Sequence, residues 1–284
     1  MSGLEIRSAS AADFAVAVDW AAAEGWNPGL DDLAVFHGTD PGGFFMGWIG
    51  ERPVSSISVV RYGAAFGFLG FYIVDPDFRG SGAGWATWQH GVAYLEGRSV
   101  GLDGVVAQQE NYRKSGFVLA GRNVRYSGVP QIDAEKAAAE VRAVTAADLP
   151  ALLAYDRPFF AAPRDVFTSP WVLPPAGGRR NTLMAVKDGE IAGYGVIRAC
   201  RSGCKVGPLF ADDAGTAAAL FAALCATAPG KEVALDTPQD NSAAVTLAES
   251  AGLAPVFETA RMYRGSAPDL PVRRTFGITT FELG

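Results

Sequence analysis

The sequence predicts a mixed α/β fold that occurs twice in tandem along the chain. Residues 66–74 have the length and the β-branched and aromatic content of a buried strand, and a glycine-rich loop follows them. Residues 6–14, IRSASAADF, recur as VRAVTAADL about 135 residues later, which indicates an internal duplication. With 284 residues, 49% of them hydrophobic, the chain is long enough for two compact domains.

The first half begins with a predicted strand and two predicted helices. Residues 4–7 predict a short strand, and Ser10 offers an N-cap for the alanine-rich helix that comes next. The GWNPG segment at residues 25–29 ends this helix, because glycine and proline interrupt helical structure. Residues 30–37 then predict a second, shorter helix.

An antiparallel hairpin is predicted next. Residues 44–49 and 54–62 have strand character and are joined by a tight turn, so they lead as a hairpin into the strand at 66–74. A proline at position 76 ends that strand, because proline cannot donate to the ladder.

The loop at residues 79–84, RGSGAG, has the composition of an anion-binding loop. Its glycines allow positive φ, so several N–H groups can point at one anion at the start of the next helix. The spacing matches neither GxGxxG nor GxxxxGK[ST], which disfavours dinucleotide binding and nucleotide hydrolysis. The alternative is a glycine-rich turn that only packs a helix against the sheet.

A helix and a parallel strand are predicted after this loop. Residues 85–95 predict the helix, with Trp85 and Trp88 in the core, and residues 99–103 predict the strand. A helical crossover makes this strand parallel to the one at 66–74.

Arg79, Gly82 and Gly84 form an RxxGxG pattern after VDPDF, and Tyr112 lies four residues before Gly116-Phe117. These motifs resemble those of the GCN5-related N-acetyltransferase (GNAT) superfamily, whose loop binds the pyrophosphate of acetyl-CoA. The resemblance implies a pair of parallel strands that splay to admit the pantetheine arm. It implies these acetyl-CoA-binding residues: Ile73, Val74, Arg79, Gly80, Ser81, Gly82, Ala83, Gly84 and Asn111.

The resemblance also makes Tyr112 the general acid that protonates the departing thiolate. The alternative is a tyrosine packed on the sheet with a bonded hydroxyl. The family's asparagine, seven residues earlier, is Val105 here, so Gln108, Gln109 or Asn111 would replace its contact. Asp103 is the best-placed carboxylate for a general base, although a capping or turn role competes.

The resemblance places the first helical region beside the acceptor. Expected substrate-binding residues there are Glu24, Trp26, Asn27, Asp31, Asp32 and His37. The carboxylates favour a cationic acceptor, but both aspartates also suit helix capping, and His37 suits a bond to a backbone group.

The second half has the same framework with different site residues. Leu102-Asp103, Gly116-Phe117 and Arg125 recur in order as Leu235-Asp236, Gly252-Leu253 and Arg261. Two aspartates, 212 and 213, replace the phosphate loop, and Ala248 replaces the tyrosine, so this copy is predicted to be degenerate. We predict GNAT-like domains at 1–130 and 141–265, a linker at 131–140, and a tail at 266–284 with a C-terminal strand over 276–283.

The sequence therefore predicts an acetyl-CoA-dependent N-acetyltransferase that acts on a primary amine of a small molecule. A non-catalytic acyl-CoA-binding regulatory protein is the alternative. The net charge of -6 disfavours a nucleic-acid partner. No early segment combines a basic start, an apolar core and a cleavage site, and no run approaches 18 apolar residues, so a cytoplasmic location is expected. Three cysteines and two histidines, far apart, predict neither disulfides nor a metal site.

Overall fold

The computed structural model describes residues 3–132 and 140–284, so most of the predicted linker lies outside the described residues. The elements of the first half are β1 (Leu4–Ser8), α1 (Ala11–Ala23), α2 (Asp32–Thr39), β2 (Phe44–Ile49), β3 (Arg52–Tyr62), β4 (Phe66–Val74), α3 (Ala83–Tyr94), β5 (Ser99–Val105), α4 (Gln109–Lys114) and β6 (Val118–Gly128). Trp88 of α3 is buried as expected, whereas Trp85 is 58% exposed, because it lies on the outer face of the helix.

The second half repeats this order, which confirms the tandem fold class. Its elements are β7 (Glu140–Ala143), α5 (Leu149–Asp156), α6 (Asp165–Val172), β8 (Arg180–Lys187), β9 (Glu190–Ala199), β10 (Cys204–Ala211), α7 (Ala214–Ala226), β11 (Val233–Pro238), α8 (Ser242–Ser250) and β12 (Ala254–Arg264), followed by the short strand β13 (Thr275–Gly277).

The strands join in one continuous sheet in which the two halves exchange their sixth strands. The order is β1-β2-β3-β4-β5-β12-β6-β11-β10-β9-β8-β7, with β13 added on β10. The pairs β4–β5 and β10–β11 are parallel, as helical crossovers require. In the sheet, β12 lies next to β5 and β6 lies next to β11. Each half is therefore completed by a strand from the other half.

Two buried ion pairs hold the exchanged strands in register. Arg261 of β12 lies opposite Asp103 of β5, and its Nε and Nη2 atoms donate to the carboxylate at 2.9 and 2.5 Å. Arg125 of β6 lies opposite Asp236 of β11 and donates to it at 2.6 and 2.8 Å. The two pairs are equivalent under the duplication, so each aspartate binds the arginine of the other half.

The halves also share an aromatic core. Phe14 and Phe71 of the first half pack edge to face at 5.4 Å, and Phe36 stacks on Trp171 of the second half at 5.8 Å. This cluster continues to Phe210 in β10. Burial of such large rings across the junction strongly favours a fixed arrangement of the halves.

The C-terminal tail returns from β12 and passes between the halves. Its strand is shorter than predicted and covers Thr275–Gly277, where it pairs with β10. The N–H of Ile278 then donates to the Asp236 carbonyl at 2.9 Å, so the tail lies between β10 and β11. Beyond that point the tail turns toward the first half, and residues 278–284 are all buried.

Replacement of one aspartate of the exchange should destabilise the whole chain. We expect Asp236→Asn to lower the free energy of unfolding by about 3–5 kcal/mol, because it leaves Arg125 buried without its counter-charge. The matched control is Glu258→Gln, which removes the partly exposed partner of Arg122 on the same exchanged strands at 3.2 Å. This control should cost about 0–1 kcal/mol in chemical denaturation. Equal effects of the two changes would contradict a structural role for the buried pair.

The same pair gives the fold a pH dependence. Burial alone would raise the pKa of Asp236, but the charge and hydrogen bonds of Arg125 outweigh it, and the pKa is lowered. Stability from this carboxylate is therefore complete above the unfolded-state value near 3.9 and is lost as the pH falls below it.

Candidate active site

A cavity opens where β4 and β5 separate. The two strands pair only from Phe66–Leu69 to Ser99–Leu102. Past Leu69 and Leu102 they diverge and line a cavity of about 380 Å³ together with α4, β12 and the C-terminal tail. The splayed pair that the sequence analysis expected thus borders an open slot in the first half.

A bulge shapes the β4 wall of this cavity. Ser56 and Ser58 of β3 pair with Ile73 and Gly70, so β4 has one residue more than its partner over this stretch. Phe71 in this stretch has a φ of 44°, and its carbonyl accepts a hydrogen bond from Ser56 Oγ at 2.8 Å. A bulge disrupts the ladder locally, which leaves backbone polar groups available next to the cavity.

The glycine-rich loop begins at Arg79, which lines the cavity, and leads into α3. Gly80 and Gly82 have φ values of 78° and 93°, which other residues adopt at a cost. Among residues 3–132 and 140–284 we find no acceptor for the amides of Gly80, Gly82, Gly84 and Trp85. These N–H groups and the positive end of α3 suit an anionic group such as a phosphate.

The arginine of the loop is bound across the cavity mouth. Arg79 Nε donates to the Val74 carbonyl at 3.2 Å, and its Nη2 atom donates to the carboxylate of Glu24. Both side chains line the cavity. An incoming anion would compete with Glu24 for this arginine, since both present oxygen acceptors.

Tyr112 lines the inner part of the cavity. Its ring stacks on Trp88 at 5.6 Å and lies against Gly104 of β5, where a Cβ atom would be 2.2 Å from the ring. Burial raises the pKa of Tyr112, with a smaller contribution from Tyr72, so the phenol stays protonated at neutral pH. A buried, protonated hydroxyl beside an open slot has the properties of a proton donor.

Asp103 also lines the cavity, but its oxygens are already engaged. It accepts hydrogen bonds from Arg261 and, at 2.8 Å, from Asn123 Nδ2. Its side chain is fully buried. These contacts make it a structural partner of the exchanged strand, and a proton transferred to it would disrupt that ion pair.

The residues expected beside the acceptor divide into two groups. Glu24 and Trp26 line the cavity. The other four lie outside it: Asn27 bonds to Ser202, Asp31 accepts from the Arg179 amide, Asp32 contacts Arg198 and Arg180, and His37 donates to the Ala9 carbonyl. The structure therefore does not bring Asn27, Asp31, Asp32 and His37 to the site; three of them join the two halves.

Of the expected cofactor residues, Ile73, Val74 and Arg79 line the cavity. Ser81 Oγ accepts from the Ala83 amide at 3.3 Å and so shapes the loop. Asn111 does not line the cavity and donates to Gln108, a residue that does.

Sequence reasoning missed the side chains that the second half and the tail contribute. Phe257 and Thr259 of β12 and Phe281 and Glu282 of the tail complete the cavity wall. The apolar composition of the tail indicated that it would be anchored, yet no local pattern shows which half receives it. The strand exchange brings β12 to the cavity for the same non-local reason.

The equivalent slot in the second half is occupied by the chain itself. The β13 strand and Ile278 fill the space between β10 and β11. At the start of α7 the side chain of Asp213 accepts from the Thr216 amide at 2.8 Å. The buried tail thus occupies the space that a cofactor arm would need. The carboxylate of Asp213 occupies the position that a phosphate would need.

Comparison with known proteins identifies the family. The chain is 33% identical over 281 residues to the holothin acyltransferase of Pseudoalteromonas sp. (strain SANK 73390), an alignment that covers 98% of this chain and 94% of that protein. The chain belongs to the GNAT family. Residues 10–117 match the model of the GNAT acetyltransferase family, and residues 152–277 match a second GNAT acetyltransferase domain model.

Solved structures share the tandem GNAT fold. A structure from Pyrococcus horikoshii superposes with a TM-score of 0.82 at 20% identity and covers 100% of this chain and 97% of that one. A tandem GNAT protein from the clavulanic acid biosynthesis pathway gives a TM-score of 0.65 at 16% identity, with coverage of 93% and 99%. In the part of the chain described here, no helix is long and apolar enough to cross a bilayer.

Proposed function

We propose that this GNAT protein transfers an acetyl group from acetyl-CoA to a primary amine of a small molecule by direct attack in a ternary complex. The observation that supports this most strongly is the cavity whose wall combines Arg79, the bulged β4 strand and Tyr112. The name of the holothin acyltransferase relative supports a small-molecule acceptor.

In this proposal the free amides of the loop and Arg79 hold the pyrophosphate, and Ile73 and Val74 pair with the pantetheine arm. The backbone at the β4 bulge polarises the thioester carbonyl, as donors beside a developing oxyanion do. Tyr112 donates to the sulfur as the C–S bond breaks. Bound acetyl-CoA supplies the activated acyl group, and every other function is assigned to residues of the chain.

The acceptor amine must be deprotonated before it can attack. With a pKa near 10.4, deprotonation at pH 7 costs roughly 4 to 5 kcal/mol. Asp31 and Asp32 face arginines of the second half, so they offer no contact to a second positive charge on the acceptor. The preference among amines therefore depends on the cavity wall itself.

The proposal is tested with the purified chain, acetyl-CoA and a panel of small primary amines. We expect release of CoA thiol that requires an amine, together with a product heavier by one acetyl group in mass spectrometry. The control omits the amine, which should reduce thiol release to the rate of background hydrolysis. Tight binding of acetyl-CoA in calorimetry without transfer to any amine would instead favour a non-catalytic acyl-CoA-binding protein.

A further inference from the structure

The C-terminal tail adds Glu282 to the wall of the active-site cavity. Glu282 lines the cavity with Tyr112, and it is only 3% exposed. Its carbonyl lies against β4 at Gly70, where a Cβ atom would be 2.0 Å from that oxygen. Glycine at position 70 is therefore required for the tail to lie on the β4 wall.

The tail is anchored on both sides of this glutamate. The carbonyl of Leu283 accepts from Tyr62 Oη at 3.1 Å, and its amide donates to Thr280 Oγ1 at 2.9 Å. Arg164 Nη1 donates to the Gly284 carbonyl at 3.4 Å. These contacts connect the tail to both halves, so the position of Glu282 is defined by the fold.

The carboxylate of Glu282 has capacity for a partner. Its Oε1 atom is buried and has no hydrogen-bond partner among the described residues. Nearly all buried polar groups in folded proteins are hydrogen-bonded, so such an atom requires an explanation. Ligand binding in the cavity would supply the missing partner.

The cationic side chains near Glu282 form hydrogen bonds with other groups. Its charge acts favourably on Arg125, Arg198 and Lys205. However, Arg125 bonds to Asp236, Arg198 bonds to Asp32, and Lys205 Nζ donates to the Trp26 carbonyl at 2.7 Å. They offset the cost of a buried negative charge without occupying its oxygens.

We propose that Glu282 is the general base that deprotonates the acceptor amine, an assignment that rests on the proposed transferase function. At pH 7 only about one in 2,500 molecules of an amine with pKa 10.4 is uncharged, so a base inside the cavity is needed. The other two carboxylates that line it are committed, Glu24 to Arg79 and Asp103 to Arg261.

In this step, each proton that moves has a donor and an acceptor, and each electron pair passes from one bond to the next. The acceptor ammonium gives one proton to Glu282, and its lone pair then forms the N–C bond. The C–S bond breaks with its electron pair on sulfur, which takes a proton from Tyr112. The second proton lost by nitrogen replaces the one that Tyr112 gave, and Glu282 releases its proton to water.

The test compares Glu282→Gln with wild type on two acceptors. For an amine with pKa near 10, we expect kcat/KM at pH 7 to fall about 10²- to 10³-fold. For an amine whose pKa lies below the assay pH, we expect less than about a 5-fold change, because that amine needs little deprotonation before attack. The matched control Glu258→Gln removes a carboxylate outside the cavity and should leave both rates unchanged.

The pH profile gives a second readout. With the basic amine, kcat/KM of Glu282→Gln should rise with pH and approach wild type as free amine accumulates. The other titratable residues that line the cavity are Glu24, Tyr72, Arg79, Asp103 and Tyr112, and all remain in the variant. Burial lowers the pKa of Lys205 to about 8, and since this lysine is present in both proteins, the comparison concerns the difference between the two profiles.

The outcomes separate this inference from the proposed function. Wild type that transfers acetyl to no amine would overturn the transferase function. Active wild type with an unchanged Glu282→Gln variant, or equal losses for both amines, would overturn the role of Glu282 as base. If the neutral variant does not fold, Glu282→Asp keeps the charge but retracts it, and should lower kcat for the basic amine with the Kd for acetyl-CoA unchanged.

Discussion

Tyr112→Phe should lower kcat by about 10²- to 10⁴-fold, the usual contribution of a general acid, while the Kd for acetyl-CoA changes by no more than a few fold. The reason is that the phenylalanine ring keeps the stacking on Trp88 and the contact with Gly104 but loses the hydroxyl. Steady-state kinetics with a reactive amine and calorimetry with acetyl-CoA measure the two quantities separately.

Transfer of the Tyr112 proton to the departing thiolate is uphill in free energy. A phenol with pKa near 10 gives its proton to a free thiolate with pKa near 8.5 only at a cost of about 2 kcal/mol, and burial raises the pKa of Tyr112 further. The hydroxyl therefore first stabilises the charge that develops on sulfur through a hydrogen bond, and the proton follows. Proton transfer is completed only when the second nitrogen proton returns to the phenolate.

The raised pKa also determines the sign of a pH effect. The protonated phenol is the functional form, so its contribution is present below its pKa and is lost only as the pH rises through it. Because that pKa lies above the ordinary value near 10, we expect no loss of kcat from Tyr112 between pH 7 and about pH 10.

Two further tyrosines make the Tyr112 experiment specific. Tyr94→Phe is the inert control, since its hydroxyl bonds to Asp40 at 3.0 Å and does not line the cavity. Tyr72 packs edge-on against Trp88 at a ring distance of 5.1 Å, and it does line the cavity. A large loss for Tyr72→Phe with none for Tyr112→Phe would transfer the proton-donor role to Tyr72.

The sequence was sufficient to predict the duplicated fold but not the strand exchange. The recurrence of Asp103 and Arg125 as Asp236 and Arg261 indicates two equivalent sheets. If Asp103 paired with Arg125 inside one half, the charges would be neutralised as well as they are by the observed pairing with Arg261. The local sequence pattern is the same for both pairings, so only the packing of the whole chain distinguishes between them.

The residues of the candidate site also include some that the sequence could identify and some that it could not. The RGSGAG loop and Tyr112 could be identified because their spacing is local and their chemistry requires particular residue types. Glu282 is 170 residues beyond Tyr112 in the sequence, and nothing near it marks it as part of the cavity. Asp31 and Asp32 were instead assigned to the site although they lie outside it. Acidic residues at a helix start are equally suited to bind an acceptor and to bind the arginines of a second domain.

Gly82→Asp should abolish acetyl-CoA binding, with at least about a 10²-fold increase in Kd, in a chain that otherwise binds one equivalent. Gly82 is the N-cap of α3, where the loop amides are free. An aspartate there would put a carboxylate at the start of α3, as Asp213 does at the start of α7, where it accepts from the Thr216 amide. A carboxylate that binds these amides both occupies the phosphate site and repels the pyrophosphate.

The change also introduces backbone strain, which a second variant separates from the charge. Gly82 has a φ of 93°, so any side chain here costs on the order of 1–2 kcal/mol. Gly82→Ala has the strain without the carboxylate and should weaken binding by no more than about 10-fold. Calorimetry on the wild type and the two variants measures the Kd for acetyl-CoA. Equal losses of affinity for alanine and aspartate would show that loop geometry, rather than charge, controls binding.

Two equivalents of acetyl-CoA per wild-type chain would contradict the assignment of the first half as the binding copy, because the slot of the second half is filled by β13.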